Sequence, residues 1–212
     1  MVVKLLQILG FEFWDNEMKS KGWENIFRPP KTGHVVYGSH VPDYPKLMDL
    51  FAETGLSGIS IIRDPRDAAI EVARIYGYES NEPFSDVLLR IIGQLPSRYK
   101  SRHGWNTHPN SYVTTYEKLV GSRGKGDDSL QAQEIKTICA EIGYPLTDEK
   151  LCEVQEKLYL AFPDRLGYPP GFENATVGNW KALFEERHLD LYAKMSERSK
   201  CLQEIDTMIW GG

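Results

Sequence analysis

The sequence has little of what a disulfide scaffold, a metal centre or a membrane protein requires. Only three cysteines occur in 212 residues, Cys139, Cys152 and Cys201. They are odd in number, widely spaced and without a C-x-x-C pair, which excludes a cystine framework and a thiolate metal site and implies reduced thiols. No apolar run is long enough to span a membrane. Met1–Gly10 is apolar but short, no small-residue cleavage site follows it, and the chain turns polar at Trp14-Asp15-Asn16-Glu17. No signal peptide and no membrane association are expected, and the cytoplasm is the expected location. Basic residues are not in excess: 25 stand against 30 acidic ones, for a net charge of −5. That excludes a broad nucleic-acid-binding surface but leaves room for a local basic site for a small anion. Internal repeats and low-complexity tracts are absent. So is the G-x-x-x-x-G-K-[ST] loop, which ranks a kinase-like enzyme acting on phosphates through Arg63 and Arg66 last among the readings.

What is present suits one compact domain over residues 1–212, since 41% of the chain is hydrophobic and 26% charged. Residues 2–9 read as a short helix closed by Gly10, or as a strand. Lys21–Gly33 carries Pro29-Pro30 and reads as loop. Val35–His40 reads as a buried strand stopped by Pro42, and Tyr44–Glu53 as a helix. The clearest local signal is Gly58-Ile59-Ser60-Ile61-Ile62 running into Arg63-Asp64-Pro65-Arg66-Asp67. Branched residues make the strand. Asp64 caps a helix, Pro65 fits its first position, and Asp67 sits where a reciprocal capping carboxylate belongs. The helix is expected to reach about Gly77. Further helices are expected at 87–92, 130–142, 147–160 and 180–195, and a strand at 112–116. Gly121–Asp128 reads as an exposed loop and 163–177 as a long irregular segment. Strand, tight turn and helix in succession indicate a parallel sheet layered with helices.

Three segments, in order, resemble the sulfotransferase family. Gly38-Ser39-His40-Val41-Pro42 is similar to the family's Lys-Thr-His-Leu-Pro stretch. Ile61–Ala69 is similar to its strand-turn-helix signature. Val177-Gly178-Asn179-Trp180-Lys181, with Phe184 and Tyr192, is similar to its C-terminal Gly-Asp-Trp-Lys segment. His103-Gly104-Trp105, Val113–Leu119 and Glu141–Thr147 add weaker agreement, so the likeness covers most of residues 1–195. The resemblance implies an α/β fold, a parallel sheet flanked by helices of P-loop sulfotransferase type, that begins after the family's first strand and phosphate-binding loop. It implies 3′-phosphoadenosine 5′-phosphosulfate as sulfonate donor, no metal, and a hydroxyl or amine of a small molecule as acceptor. By the same resemblance His40 is the catalytic base, Arg63 binds the donor's 3′-phosphate and Tyr116 contacts its adenine.

The departures from the family pattern are specific. Residues Met1–Leu6 align with the helix that follows the donor loop, so the loop and its strand have no counterpart. Glu71 stands where the family has a serine beside the 3′-phosphate. Glu173-Asn174-Ala175 replaces Arg-Lys-Gly, and Gly38 replaces a lysine. These departures give a second expectation, a catalytically inactive binding or interaction module.

Sulfonate transfer needs a base for the acceptor's proton and fixed positive groups for the developing charge. An imidazole at a strand end suits the first task, although His40 in that place equally caps the strand. A guanidinium fork suits a phosphate, although Arg63 equally pairs with Asp64, Asp67 or Glu71. Tyr116 reads equally as a core tyrosine at a strand end. Arg66 and Lys181 are expected in solvent and Trp180 in the core. His34, His103, His108 and His188 are read as surface or packing residues.

Overall fold

The computed structural model describes residues 1–13, 35–36, 45–54, 58–160 and 176–211. The fold is α/β and mostly helical, with short parallel strands. Helix α1 (Val2–Ile8) settles the choice left open by the sequence for residues 2–9. Strands β1 (Glu12–Phe13) and β2 (Val35–Val36) pair in parallel. After α2 (Pro45–Thr54), strand β3 (Gly58–Ile62) pairs in parallel with β4 (Ser111–Thr115), in a register that sets Ile59 against Tyr112 and Ile62 against Thr115. The expected parallel strands are present, but among the described residues they form two separate pairs and not one central sheet.

Between β3 and β4 lie α3 (Pro65–Ser80), α4 (Phe84–Lys100) and α5 (His103–Thr107). The helix after β3 runs three residues beyond the expected Gly77. It ends at Asn81, which takes the left-handed conformation (φ 57°) that asparagine tolerates. The helix expected at 87–92 extends in both directions. Its apolar stripe of Val87, Leu88, Ile91, Ile92 and Leu95 carries it to Pro96 and through to Lys100. Beyond β4 come α6 (Tyr116–Leu119), a 3-10 turn at Ser122–Gly124, α7 (Asp128–Glu141) and α8 (Asp148–Leu160). The turn is braced by Asp128, whose carboxylate accepts from the Ser122 N–H and hydroxyl, both at 2.7 Å.

The segment read as one helix over 180–195 is broken. It forms α9 (Trp180–Leu183) and α10 (Glu186–Glu197), with Phe184 extended between them. Neither proline nor glycine marks the break. It is held by a capping box in which Glu185 accepts from the backbone N–H of His188, and the His188 side chain accepts from the N–H of Glu185. A last helix, α11 (Lys200–Trp210), follows a Ser199 cap and was not anticipated.

Two buried clusters form the core. The first joins Leu5 and Leu6 of α1 to Ile135 and Ile138 of α7 and Val154 and Leu158 of α8, with Ile59 and Tyr112 of the strand pair packed against it. The second joins Ala69, Ile70 and Ala73 of α3 to the α4 stripe, to Tyr192 of α10 and to Leu202 of α11. Burying such branched side chains contributes roughly 1.5–3 kcal/mol each. The β3–α3 turn is therefore anchored on both sides, by a strand in one cluster and a helix in the other. Cys139, Cys152 and Cys201 form no disulfide. Among the described residues no helix is long and apolar enough to cross a membrane.

Candidate anion-binding site at the end of β3

Arg63 and Asp64 connect β3 to α3. Asp64 caps α3, accepting the Arg66 N–H at 2.8 Å with Pro65 in the first turn, as the sequence indicates. Asp67 does something else. Its side chain is buried and reaches across to the loop before α9, accepting the Gly178 N–H at 2.6 Å and the Trp180 N–H at 2.9 Å. Gly178 has φ +78°, a conformation in which a side chain would be strained. Burial raises the Asp67 pKa, and the two N–H donors only partly restore the charged form.

Arg63 is placed by three contacts. Its carbonyl accepts the Tyr99 hydroxyl at 3.0 Å, its guanidinium lies 4.5 Å from the centre of the Tyr116 ring, and its Nη2 lies 3.8 Å from Glu71 Oε1. The structure thus brings together the two residues that the family resemblance assigns to the donor, Arg63 and Tyr116. It also brings the ion-pair partner that competes for one of them. Arg74 Nη1 approaches the same Glu71 oxygen at 3.7 Å. None of these ion-pair distances is a hydrogen bond. Arg63 Nε and Nη2, Arg74 Nη1, Glu71 Oε1 and Glu117 Oε2 are all buried without a hydrogen-bond partner. Burial raises the pKa of Glu71, with Arg63 and Arg74 pulling the other way. Burial also raises that of Glu117, whose other oxygen accepts the Asp64 N–H at 2.9 Å.

This donor set fits an anionic group in part. Three cationic nitrogens face inward without hydrogen bonds, which a phosphate oxygen would satisfy. The carboxylate of Glu71 stands against two of these nitrogens, Arg63 Nη2 and Arg74 Nη1, and would oppose it.

Arg66, expected in solvent, is enclosed: only 15% of its side chain is exposed. It forks onto Asp64 through Nε at 2.9 Å and Nη2 at 3.0 Å. Its guanidinium faces the rings of Trp180 at 4.1 Å, Tyr192 at 5.2 Å and Trp210 at 5.7 Å. Burial disfavours its charge, but Asp64 and the nearby Asp206 more than offset that and hold its pKa above the ordinary value. The planar fork is a better fit to this box than water, because the rings and carboxylate together replace its weak hydration. Trp210 also donates its indole N–H to Asp64 at 3.2 Å, and Asp206 accepts the Tyr192 hydroxyl at 2.8 Å. Both come from α11. The spacing of Leu202, Ile205 and Met208 after Ser199 is the sequence signal that would have found that helix.

His40 lies outside the described residues, as do Gly38 and Glu173-Asn174-Ala175. His188 is a buried packing residue, its Nε2 2.9 Å from the Ser85 hydroxyl. Lys181 is exposed, as expected, and Trp180 is partly buried against the second core cluster. Among the described residues no group of three or more histidine, cysteine or acidic side chains is arranged to hold a metal ion.

No known family model matches the sequence. Nor does any curated protein. Among solved structures the chain is similar to mouse sulfotransferase SULT7A1 complexed with PAP, at 14% identity and a TM-score of 0.68, over 100% of this chain and 84% of that one. A likeness at that identity is one of architecture: the chain adopts the α/β fold of a sulfotransferase.

Proposed function

We propose that the protein transfers a sulfonate group from 3′-phosphoadenosine 5′-phosphosulfate to a hydroxyl or amine of a small acceptor. In this reading Arg63 holds the donor's 3′-phosphate, Tyr116 contacts its adenine, and His40 takes the acceptor's proton. The observation that carries it is the state of Arg63, whose Nε and Nη2 are buried at the end of β3 with no hydrogen-bond partner. A guanidinium so placed, beside an aromatic ring and in this fold, is prepared to meet two oxygens of one phosphate. The protein's own work would be to orient the donor and to accept one proton; the leaving group is a phosphate that needs fixed positive charge nearby.

A second reading has an observation of its own. Glu71 lies against both Arg63 and Arg74, so its carboxylate already offsets part of the positive charge of this corner. That favours a module that binds weakly and does not turn over. Calorimetric titration with 3′-phosphoadenosine 5′-phosphate, on the protein and on Arg63→Ala, tests the shared premise. Micromolar or weaker binding is expected, reduced about tenfold or more by the substitution, as for loss of a charge-assisted pair of hydrogen bonds. An affinity unaffected by Arg63→Ala overturns both readings. Sulfonate transfer to phenol or amine acceptors, assayed in parallel, then decides between them.

A further inference from the structure

Away from the β3–α3 turn, three side chains from two elements meet in an order that the nucleotide reading does not use. Cys201 is the second residue of α11. Its Sγ lies 3.6 Å from Nδ1 of His103, the first residue of α5. On the other side of the ring, His103 Nε2 lies 3.5 Å from Glu204 Oε2, one turn along α11 from Cys201. Lys200 Nζ approaches the other oxygen of Glu204 at 3.5 Å. A carboxylate in that place favours the tautomer with its proton on Nε2, which leaves the Nδ1 lone pair towards the thiol. Nucleophile, base and orienting acid are thus in sequence. The N-terminal end of an eleven-residue helix adds a positive partial charge beside the sulfur. The three groups are half-buried, with 36% of the His103 side chain and 35% of that of Glu204 exposed.

The geometry points to Cys201 as a selectively reactive thiol, with His103 as its base and Glu204 as the residue that orients His103, open to thiol–disulfide exchange with low-molecular-weight disulfides. The Cys201 proton passes to His103 Nδ1. The thiolate attacks one sulfur of the disulfide, a mixed disulfide forms as the original sulfur–sulfur bond breaks, and the departing thiolate takes the proton back from the imidazolium. No other oxidant enters.

The chain carries its own controls. Cys152 is exposed. Cys139 is buried in the first core cluster, where burial pushes its thiol up to about 11. Exposure alone orders their reactivity Cys152, Cys201, Cys139. The His103–Glu204 arrangement places Cys201 first.

The test is incubation of the full chain with oxidised glutathione at pH 7, with glutathionylation of each cysteine followed by peptide mass mapping. Cys201 is expected to react roughly three- to tenfold faster than Cys152, the gain from a larger thiolate fraction less the loss of intrinsic nucleophilicity. His103→Asn is expected to bring Cys201 to or below the Cys152 rate and leave Cys152 unchanged. A Cys201 rate at or below that of Cys152 in the unmodified chain overturns the proposal, as does an unchanged rate in His103→Asn. Cys139 reports folding, because it stays unreactive while the core is intact. Should His103→Asn expose it, Glu204→Gln makes the same test with a near-isosteric change. The Cys201 rate is then expected to fall towards that of Cys152, and an unchanged rate overturns the proposal.

Discussion

Glu71 Oε1 lies 3.8 Å from Arg63 Nη2, and neither atom makes a hydrogen bond although both are buried. The pair is electrostatic and loosely seated, so the arginine can exchange this partner for a better one. Replacing the acid with a neutral isostere removes the competitor without opening space. Glu71→Gln is therefore expected to tighten binding of 3′-phosphoadenosine 5′-phosphate by about tenfold, equivalent to ~1.4 kcal/mol. Calorimetry checks it, and an unchanged or weaker affinity would remove Glu71 from the account of this corner.

The same acid gives a pH dependence of stability. Glu71 and Glu117 both have folded-state pKa values raised above 4.5 by burial. A raised carboxylate pKa means the folded state binds more protons than the unfolded chain, so the stabilisation is complete below pH 4.5 and is lost as pH rises through the folded value. Glu153 acts in the opposite sense: Lys150 and Lys157 hold its pKa at about 2, so its contribution is lost as pH falls from 4.5 towards that value. Urea unfolding at pH 4.5 and at pH 7 is expected to show a smaller decline in Glu71→Gln than in the unmodified protein. An equal decline in both would show that Glu71 does not titrate in this window.

Asp67→Asn tests the link between α3 and the segment before α9. An asparagine can present one oxygen to the Gly178 and Trp180 N–H groups, and its NH2 then faces the second donor. A loss of roughly 2–4 kcal/mol is expected, for one hydrogen bond to a charged group and one donor left unsatisfied. The urea midpoint measures it, and a change below about 0.5 kcal/mol, the range of ordinary surface substitutions, would show that water replaces the carboxylate.

Trp210→Phe keeps an aromatic face near Arg66 but removes the N–H that reaches Asp64. Trp210 is 44% exposed, so the expected loss is small, about 1 kcal/mol, with Trp210→Ala losing more as the ring contact to Arg66 goes too. Equal losses in the two variants would assign the whole effect to the indole hydrogen bond.

What the sequence made legible was local. Asp64, Pro65 and the branched residues before them specify a strand, a cap and a helix within ten positions, and the structure has all three. The distant partners of Asp64 and Asp67 were not legible, because they lie over a hundred residues away: 111 from Asp67 to Gly178 and 146 from Asp64 to Trp210. Asp67 satisfied the pattern of a capping box, and only the fold shows that its carboxylate has left the helix. The break at Phe184 escaped notice for a related reason, since its cap is Glu185 paired with His188, and glutamate is not a usual capping residue. The competition between Glu71 and a phosphate for Arg63 was visible in the sequence as two alternatives, and only the structure shows Glu71 3.8 Å from Arg63 Nη2.

Those long separations bear on how the chain is made. Synthesis proceeds from the N-terminus, so Asp64 and Asp67 leave the ribosome well before residues 178 to 210 exist. Until then Asp67 lacks the two N–H groups that receive its charge, and Asp64 lacks the Trp210 indole. The nascent β3–α3 unit can cap its helix through Asp64 and Arg66 but leaves the Asp67 carboxylate to water. The second core cluster, which needs Tyr192 and Leu202, cannot close over α3 either. Arg66 gains the Trp210 ring and Asp206 only when the final helix docks. The contacts that place Arg63, to Tyr99, Tyr116 and Glu71, all lie within the first 116 residues, so the corner that would hold an anion is complete before the box around its neighbour.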